Sequence, residues 1–147
     1  MADSRAASRG LVDARGMHHE QCVATWLIDR LGAPRDAIVV RIEGAIGTND
    51  AFDAASRTDA LLLVTKTPLE VCIDLSSMSA YTVSARERWS QVLAERKAMI
   101  RLLTWVTTKS TQRMVGRAVG LFSGITTRLL DELPAEYGPD QPLHRSG

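Results

Sequence analysis

The feature that most narrows the folds open to this chain is an alternation of short apolar runs with amphipathic helical stretches. EVCIDL (Glu70–Leu75) and IRLLTWVT (Ile100–Thr107) are brief and apolar, the pattern of strands buried on both faces. Between them, Ala85, Trp89, Val92, Leu93 and Arg96 fall on one side of a helix running from about Val83 to Met99, which gives an apolar stripe bordered by charge. Another helix follows, with Ser110 or Thr111 as its cap, and then ITTRLL (Ile125–Leu130) as a last short strand. Strands spaced in this way run parallel, with the helices as crossovers.

Upstream, CVATWLID (Cys22–Asp29) and AIVVRIEGAIG (Ala37–Gly47) read as two strands. RLGAPRD joins them with the turn chemistry of Gly32 and Pro34, so the pair forms a hairpin. Thr48-Asn49-Asp50 offers capping oxygens to a helix from about Ala51 to Lys66, in which Phe52, Ala55, Leu62 and Leu63 can share one face. SSMSAY (Ser76–Tyr81) reads as a loop. The order is β-β-α-β-α-β-α-β, which predicts an α/β fold: a mixed, mostly parallel sheet of about five strands with three helices. Residues 1–19 are expected to be a flexible leader, 20–133 the domain, and 134–147 a flexible tail rich in proline and glycine.

Composition removes several function classes. With 147 residues, 45% of them hydrophobic, the chain can bury one ordinary core. Eighteen basic and 17 acidic side chains leave a formal charge of +1, which exerts no general pull on nucleic acid or anionic membrane. The longest apolar run, Ala60–Val64, is too short for a membrane span. The basic N-terminus lacks the apolar core of a secretory signal. Cys22 and Cys72 read as buried reduced thiols, in keeping with a cytoplasmic location.

Catalytic patterns are missing too. His18, His19 and His144 all lie in the predicted tails, so the body has no base for a Ser-His or Cys-His pair. The sequence has no CxxC, HExxH, GxGxxG or GK[ST] motif, and no metal or cofactor is expected. The carboxylates Asp29, Asp36, Glu43, Glu70 and Asp74 are scattered over different predicted strands and loops. The chain is not expected to be an enzyme.

Two polar clusters remain. One joins Asp74, Ser76 and Ser77 to Thr82 and Ser84; the other is Thr107-Thr108-Lys109-Ser110 with Arg113 and Arg117. Each sits where a predicted parallel strand leads into a helix N-terminus, the place where α/β sheets gather ligands. Lys109, Ser110, Arg113 and Arg117 are therefore candidates for holding an anion or another small ligand. The simpler reading is capping, since Ser84-Ala85-Arg86-Glu87 has the S-x-x-E pattern of a capping box.

EVCIDLSSMSAYTVSARERWSQVL resembles the central strand, loop and helix of STAS domains, the SpoIIAA-like anti-sigma-factor antagonists. In those domains the strand ends Asp-Leu-Ser and the helix opens Asp-Ser-Ser-Gly. Arg86, Arg113, Gly116 and Thr127-Arg128-Leu129 also match the outline of stand-alone bacterial STAS/SEC14-like proteins of unassigned function. The likeness spans roughly Cys22 to Leu133. It implies a STAS-like fold and a non-catalytic regulatory or protein-interaction module of signal transduction. The partner would be another protein or a second copy in a homodimer, and phosphorylation would be the switch. Here Thr82-Val83-Ser84-Ala85 stands where the family shows Asp-Ser-Ser-Gly. The family's phosphorylated serine thus falls on Val83, which leaves Thr82, Ser84, Ser76 and Ser77 as candidate acceptors or partner contacts. The alternative function is carriage of a small anionic or lipid-like ligand, with Lys109 and Arg113 at the head-group end.

One feature of the last helix needs a separate explanation. Gly116, Gly120 and Gly124 recur every fourth residue, and each glycine inside a helix costs about 1 kcal/mol relative to alanine. Met114, Val115, Ala118, Val119, Leu121 and Phe122 surround them, more apolar surface than one sheet face covers. Two readings stay open. The glycines form a face for a second subunit or partner helix, or they bring the helix close to its own sheet.

Overall fold

The computed structural model describes residues 24–137, together with the backbone of residues 4–8. The chain order is β1 (Ser4–Ser8), β2 (Ala24–Leu31), β3 (Ala37–Ile46), α1 (Thr48–Leu63), β4 (Leu69–Tyr81), α2 (Val83–Glu95), a 3₁₀ turn (Lys97–Met99), β5 (Ile100–Val106), α3 (Ser110–Ser123), β6 (Thr127–Leu130) and a second 3₁₀ turn (Ala135–Tyr137). The strands form one mixed sheet in the order β1-β2-β3-β4-β5-β6. β1–β2 and β2–β3 are antiparallel, and the three remaining pairs are parallel. The α/β class, the hairpin and the mostly parallel core match expectation. β1 is the addition, and it lies in the stretch read as a flexible leader.

Consecutive strands are neighbours in the sheet, and buried residues of α1, α2 and α3 all join one core cluster, so the three helices cover one face of the sheet. Alternate residues of the strands (Ile38, Val40, Ile42, Val71, Ile73, Leu103 and Trp105) meet Ala51, Ala54, Ala55, Leu62, Ala85, Trp89, Val92, Leu93 and Val119 in the main core. The opposite face carries a smaller cluster of Leu31, Ala37, Val39, Cys72, Val106 and Tyr137. Tyr137 comes from the segment expected to be a flexible tail, so the packed structure extends to the second 3₁₀ turn. Cys72 is a free, buried thiol, and Cys22 lies outside the described residues.

Several local expectations are corrected. Ser76–Tyr81 is not a loop: β4 runs on to Tyr81 as the partner of Glu43–Ile46, beyond its pairing with β5, which ends at Asp74. The α1 cap is Gly47, with no side-chain bond, so Thr48, Asn49 and Asp50 do not cap. On α1, Ala55 and Leu62 are buried while Phe52 and Leu63 are exposed. Phe52 lies beneath the Arg88 guanidinium, 5.8 Å from ring centre to Cζ. On α2 the stripe of Ala85, Trp89, Val92 and Leu93 is buried as expected, and Arg96 closes it by pairing with Asp59 at 2.6 Å.

Candidate functional site

The first polar cluster forms at the start of α2. The cap there is Thr82, whose Oγ1 accepts from the Ala85 amide at 3.1 Å. Ser84 lies inside the first turn, so the capping-box reading of Ser84 and Glu87 is corrected. Val83 opens the helix and is 59% exposed. Ser76 folds back on Asp74, whose Oδ1 accepts from both its amide and its hydroxyl, at 3.0 and 2.6 Å. Thr82 and Ser84 share the helix start, whereas Ser76 and Ser77 lie farther back along β4. All four are exposed.

The second cluster commits most of its charge internally. Lys109 Nζ donates to the Met78 carbonyl, on the part of β4 that extends past β5. Arg113 donates to the Thr107 carbonyl at 2.9 Å and to Asp131 at 2.8 Å. Both cations thus carry hydrogen bonds within the fold, Lys109 through Nζ and Arg113 through Nη1. Arg117 is exposed and has no ion-pair partner among the described residues. Ser110 and Thr111 do not cap α3: the cap position is Lys109, without a side-chain bond.

The glycines have a definite place. Gly116 and Gly120 are buried on the inner side of α3. A methyl group added at Gly116 would stand 2.8 Å from the Trp105 ring, and one at Gly120 only 2.1 Å from Thr127 Oγ1. Gly124 ends the helix at φ 76°, the left-handed conformation that glycine adopts without a Cβ penalty. Gly116 and Gly120 therefore bring α3 close to its own β5 and β6, as the second reading of the stripe expects.

The surplus apolar surface lies on the other side of α3. Met114, Leu121 and Phe122 are 65%, 83% and 91% exposed, and Ala118 lies between them. An open groove runs beside this face toward β6, lined by Arg113, Arg117, Leu121, Ile125 and Leu129 among others. Among the described residues, β6 is the last strand of the sheet and pairs only with β5.

A separate cavity of about 60 Å³ opens between α2, α3 and the strand ends. Its wall is mostly apolar, with Ile42, Ile73, Leu75, Met78, Val115 and Val119 contributing. It had no sequence signal, because it depends on how far α2 and α3 splay over the sheet.

A buried carboxylate on the helix-free face was also unforeseen. Glu70 Oε1 accepts from the Tyr137 hydroxyl at 2.6 Å, and Oε2 accepts from Thr104 at 2.6 Å and Arg128 at 3.1 Å. With both oxygens satisfied, Glu70 fastens the last turn to the sheet. Burial, together with the bond to Glu70, raises the Tyr137 pKa. Burial, reinforced by the charges of Glu70 and Asp74, pushes the neighbouring Cys72 thiol up to about 12, far from a reactive thiolate. His18, His19 and His144 lie outside the described residues.

Among the described residues, no helix is long and apolar enough to cross a membrane. No family model and no curated protein matches this sequence. Among solved structures, the chain is similar to an uncharacterised protein of the DUF3478 family, with a SpoIIAA-like fold, from Shewanella loihica PV-4. The TM-score is 0.59 at 13% identity, covering 74% of this chain and 86% of that one. Similarity at this level speaks to architecture, and it agrees with the strand-and-helix order above: the chain has a STAS/SpoIIAA-like fold.

Proposed function

We propose that this chain is a non-catalytic protein-interaction module, and that its partner docks along the outer face of α3. The observation that carries the reading is the exposure of Met114, Leu121 and Phe122 on one helix face. Contiguous exposed apolar surface of this kind marks interaction sites. Charge selects the partner. Arg113 and Arg117 line the β6 side of the face, and Arg117 has no counter-ion among the described residues. A two-fold pairing of α3 with α3 would set this basic flank against itself. The surface instead suits an amphipathic segment of another protein that carries carboxylates beside its apolar side.

The test is differential capture from the native cell by the parent chain, Leu121→Ser/Phe122→Ser, Arg117→Glu and Leu63→Ser. Leu63 is an exposed leucine on α1, 62% accessible. The reading expects one polypeptide that the parent and Leu63→Ser retain and that the α3 double variant and Arg117→Glu lose. A capture profile unchanged by the α3 substitutions, or a parent that sediments as a homodimer through this face, would overturn it.

A further inference from the structure

The backbone of β6 is used on one side only. The Thr126 and Leu130 carbonyls accept from the amides of Leu103 and Thr107 at 2.9 and 3.0 Å, and Leu103 to Val106 pair in register with Thr127 to Leu130. Along a strand, successive residues turn their N–H and C=O groups to opposite sides, so in this parallel ladder Thr126, Arg128 and Leu130 serve β5. The N–H and C=O of Thr127 and Leu129 therefore point away from β5, and they have no hydrogen-bond partner among the described residues. A groove lies along this edge. α3 runs antiparallel to β6 beside it: Gly120 stands against Thr127 at the start of the strand, and Arg113 pairs with Asp131 just past its end. Arg113, Arg117 and Leu121 are four residues apart, which sets them in one row along the helix, and all three line the groove with Ile125, Thr127 and Leu129.

One wall of the groove thus offers free backbone donors and acceptors, and the other offers apolar and cationic side chains. An unpaired strand edge is a template for another strand. A helix lying in the groove would satisfy its own backbone and leave the β6 edge to water, whereas an extended segment would continue the ladder. Side chains of an added strand alternate between the two faces of the sheet. Those on the helix side would meet Leu121, Ile125 and Leu129. Arg117, placed on α3 between Gly120 and Arg113, comes level with the middle of β6 and has no counter-ion among the described residues. We propose that the partner docks as an added β-strand on the β6 edge, an extended segment whose groove-facing side alternates apolar residues with an Asp or Glu that meets Arg117. The inference rests on the docking reading above and specifies the form its partner takes.

The probe is a displayed library of short random peptides, selected on the full-length protein. The strand mode expects binders in which apolar residues recur at every second position, with Asp or Glu in step with them. In amide hydrogen exchange, a bound peptide should slow Thr127 and Leu129, while Arg128 and Leu130, whose amides face β5, change little. N-methylation of the peptide should weaken binding at least about tenfold at alternate residues and little at the residues between them. Arg117→Glu, a change at an exposed side chain, should weaken binding about tenfold. Binders with helical spacing, or binders that leave the Thr127 and Leu129 amides unprotected, would overturn the strand mode and leave docking on α3 standing. Binders indifferent to both Arg117→Glu and Leu121→Ser/Phe122→Ser would overturn both. Thr127 and Leu129 amides already protected without peptide would mean that the chain itself or a second copy fills the edge, which overturns the strand mode. A library that yields no binder overturns it as well, and the capture variants above then judge the docking reading alone.

Discussion

Gly120→Ala tests the internal role of the glycine stripe most sharply, because two effects of known size oppose one another. In an exposed helix the change would stabilise by about 1 kcal/mol. Here the new methyl group would stand 2.1 Å from Thr127 Oγ1 and 2.9 Å from Thr127 Cβ. The hydroxyl can rotate only by giving up its bond to the Ile125 carbonyl at 2.9 Å, and Cβ is fixed to the β6 backbone. Relief therefore requires α3 to lift from β6, an overpacking cost of about 1–3 kcal/mol. The balance is a net loss near 1 kcal/mol, or roughly 4 °C in melting temperature for a domain of this size. Removing the hydroxyl and methyl with Thr127→Ala should recover part of the loss, giving a double-mutant coupling of about 0.5 kcal/mol or more. Thermal melting of the four proteins, with sedimentation of parent and variant, reads this directly. A Gly120→Ala variant as stable as the parent would refute the close contact, and a parent dimer dissociated by the change would return the stripe to an intermolecular role.

Thr82→Ala should cost about 1 kcal/mol because it removes the α2 cap, whereas Ser84→Ala should change stability by less than about 0.5 kcal/mol; chemical denaturation separates the two. Tyr137→Phe leaves Glu70 Oε1 without its 2.6 Å donor and should destabilise by about 1–3 kcal/mol, again read by denaturation. The Cys72 thiol titrates from 9.0 when unfolded to about 12 when folded. The unfolded chain therefore releases this proton first, and stability present below pH 9 should decline as pH rises toward 12, by up to about 1.4 kcal/mol per unit. Melting at stepped alkaline pH, beside Cys72→Ala with its smaller slope, checks the sign.

The alternation of apolar runs with helical stripes was enough to read the α/β class, the hairpin and the parallel core, because each rests on a period that one buried face imposes. It failed where burial depends on distant chain. Ser76–Tyr81 looks polar and loop-like, yet β3 is long enough to hold it as strand through the pairing that ends at Ile46 and Tyr81. Pro134 to Tyr137 look like the start of a tail, but Tyr137 gains a buried acceptor from Glu70, 67 residues earlier.

The site was legible only in part. The glycine spacing announced a close approach, and the apolar excess of α3 announced an exposed surface. What the spacing did not announce was that the two lie on opposite sides of the helix, since the groups that meet the glycines, Trp105 and Thr127, come from β5 and β6. The basic cluster looked free for an anion because its absorbing groups, the Met78 carbonyl and Asp131, lie 31 and 18 residues away. Nothing in the sequence marks the cavity, whose wall comes from the strands, α2 and α3 separately.

The central claim is that the outer face of α3 is a docking surface for another protein. The most direct measurement places a photo-crosslinking amino acid at position 122, where Phe122 is 91% exposed, with position 63 on α1 as the reference, and irradiates the native cell. The account predicts a discrete adduct to a different polypeptide from position 122, absent from position 63 and lost when Arg117→Glu is added. Equal labelling from the two positions, an adduct with the mass of two copies of this chain, or a yield indifferent to Arg117→Glu would contradict it.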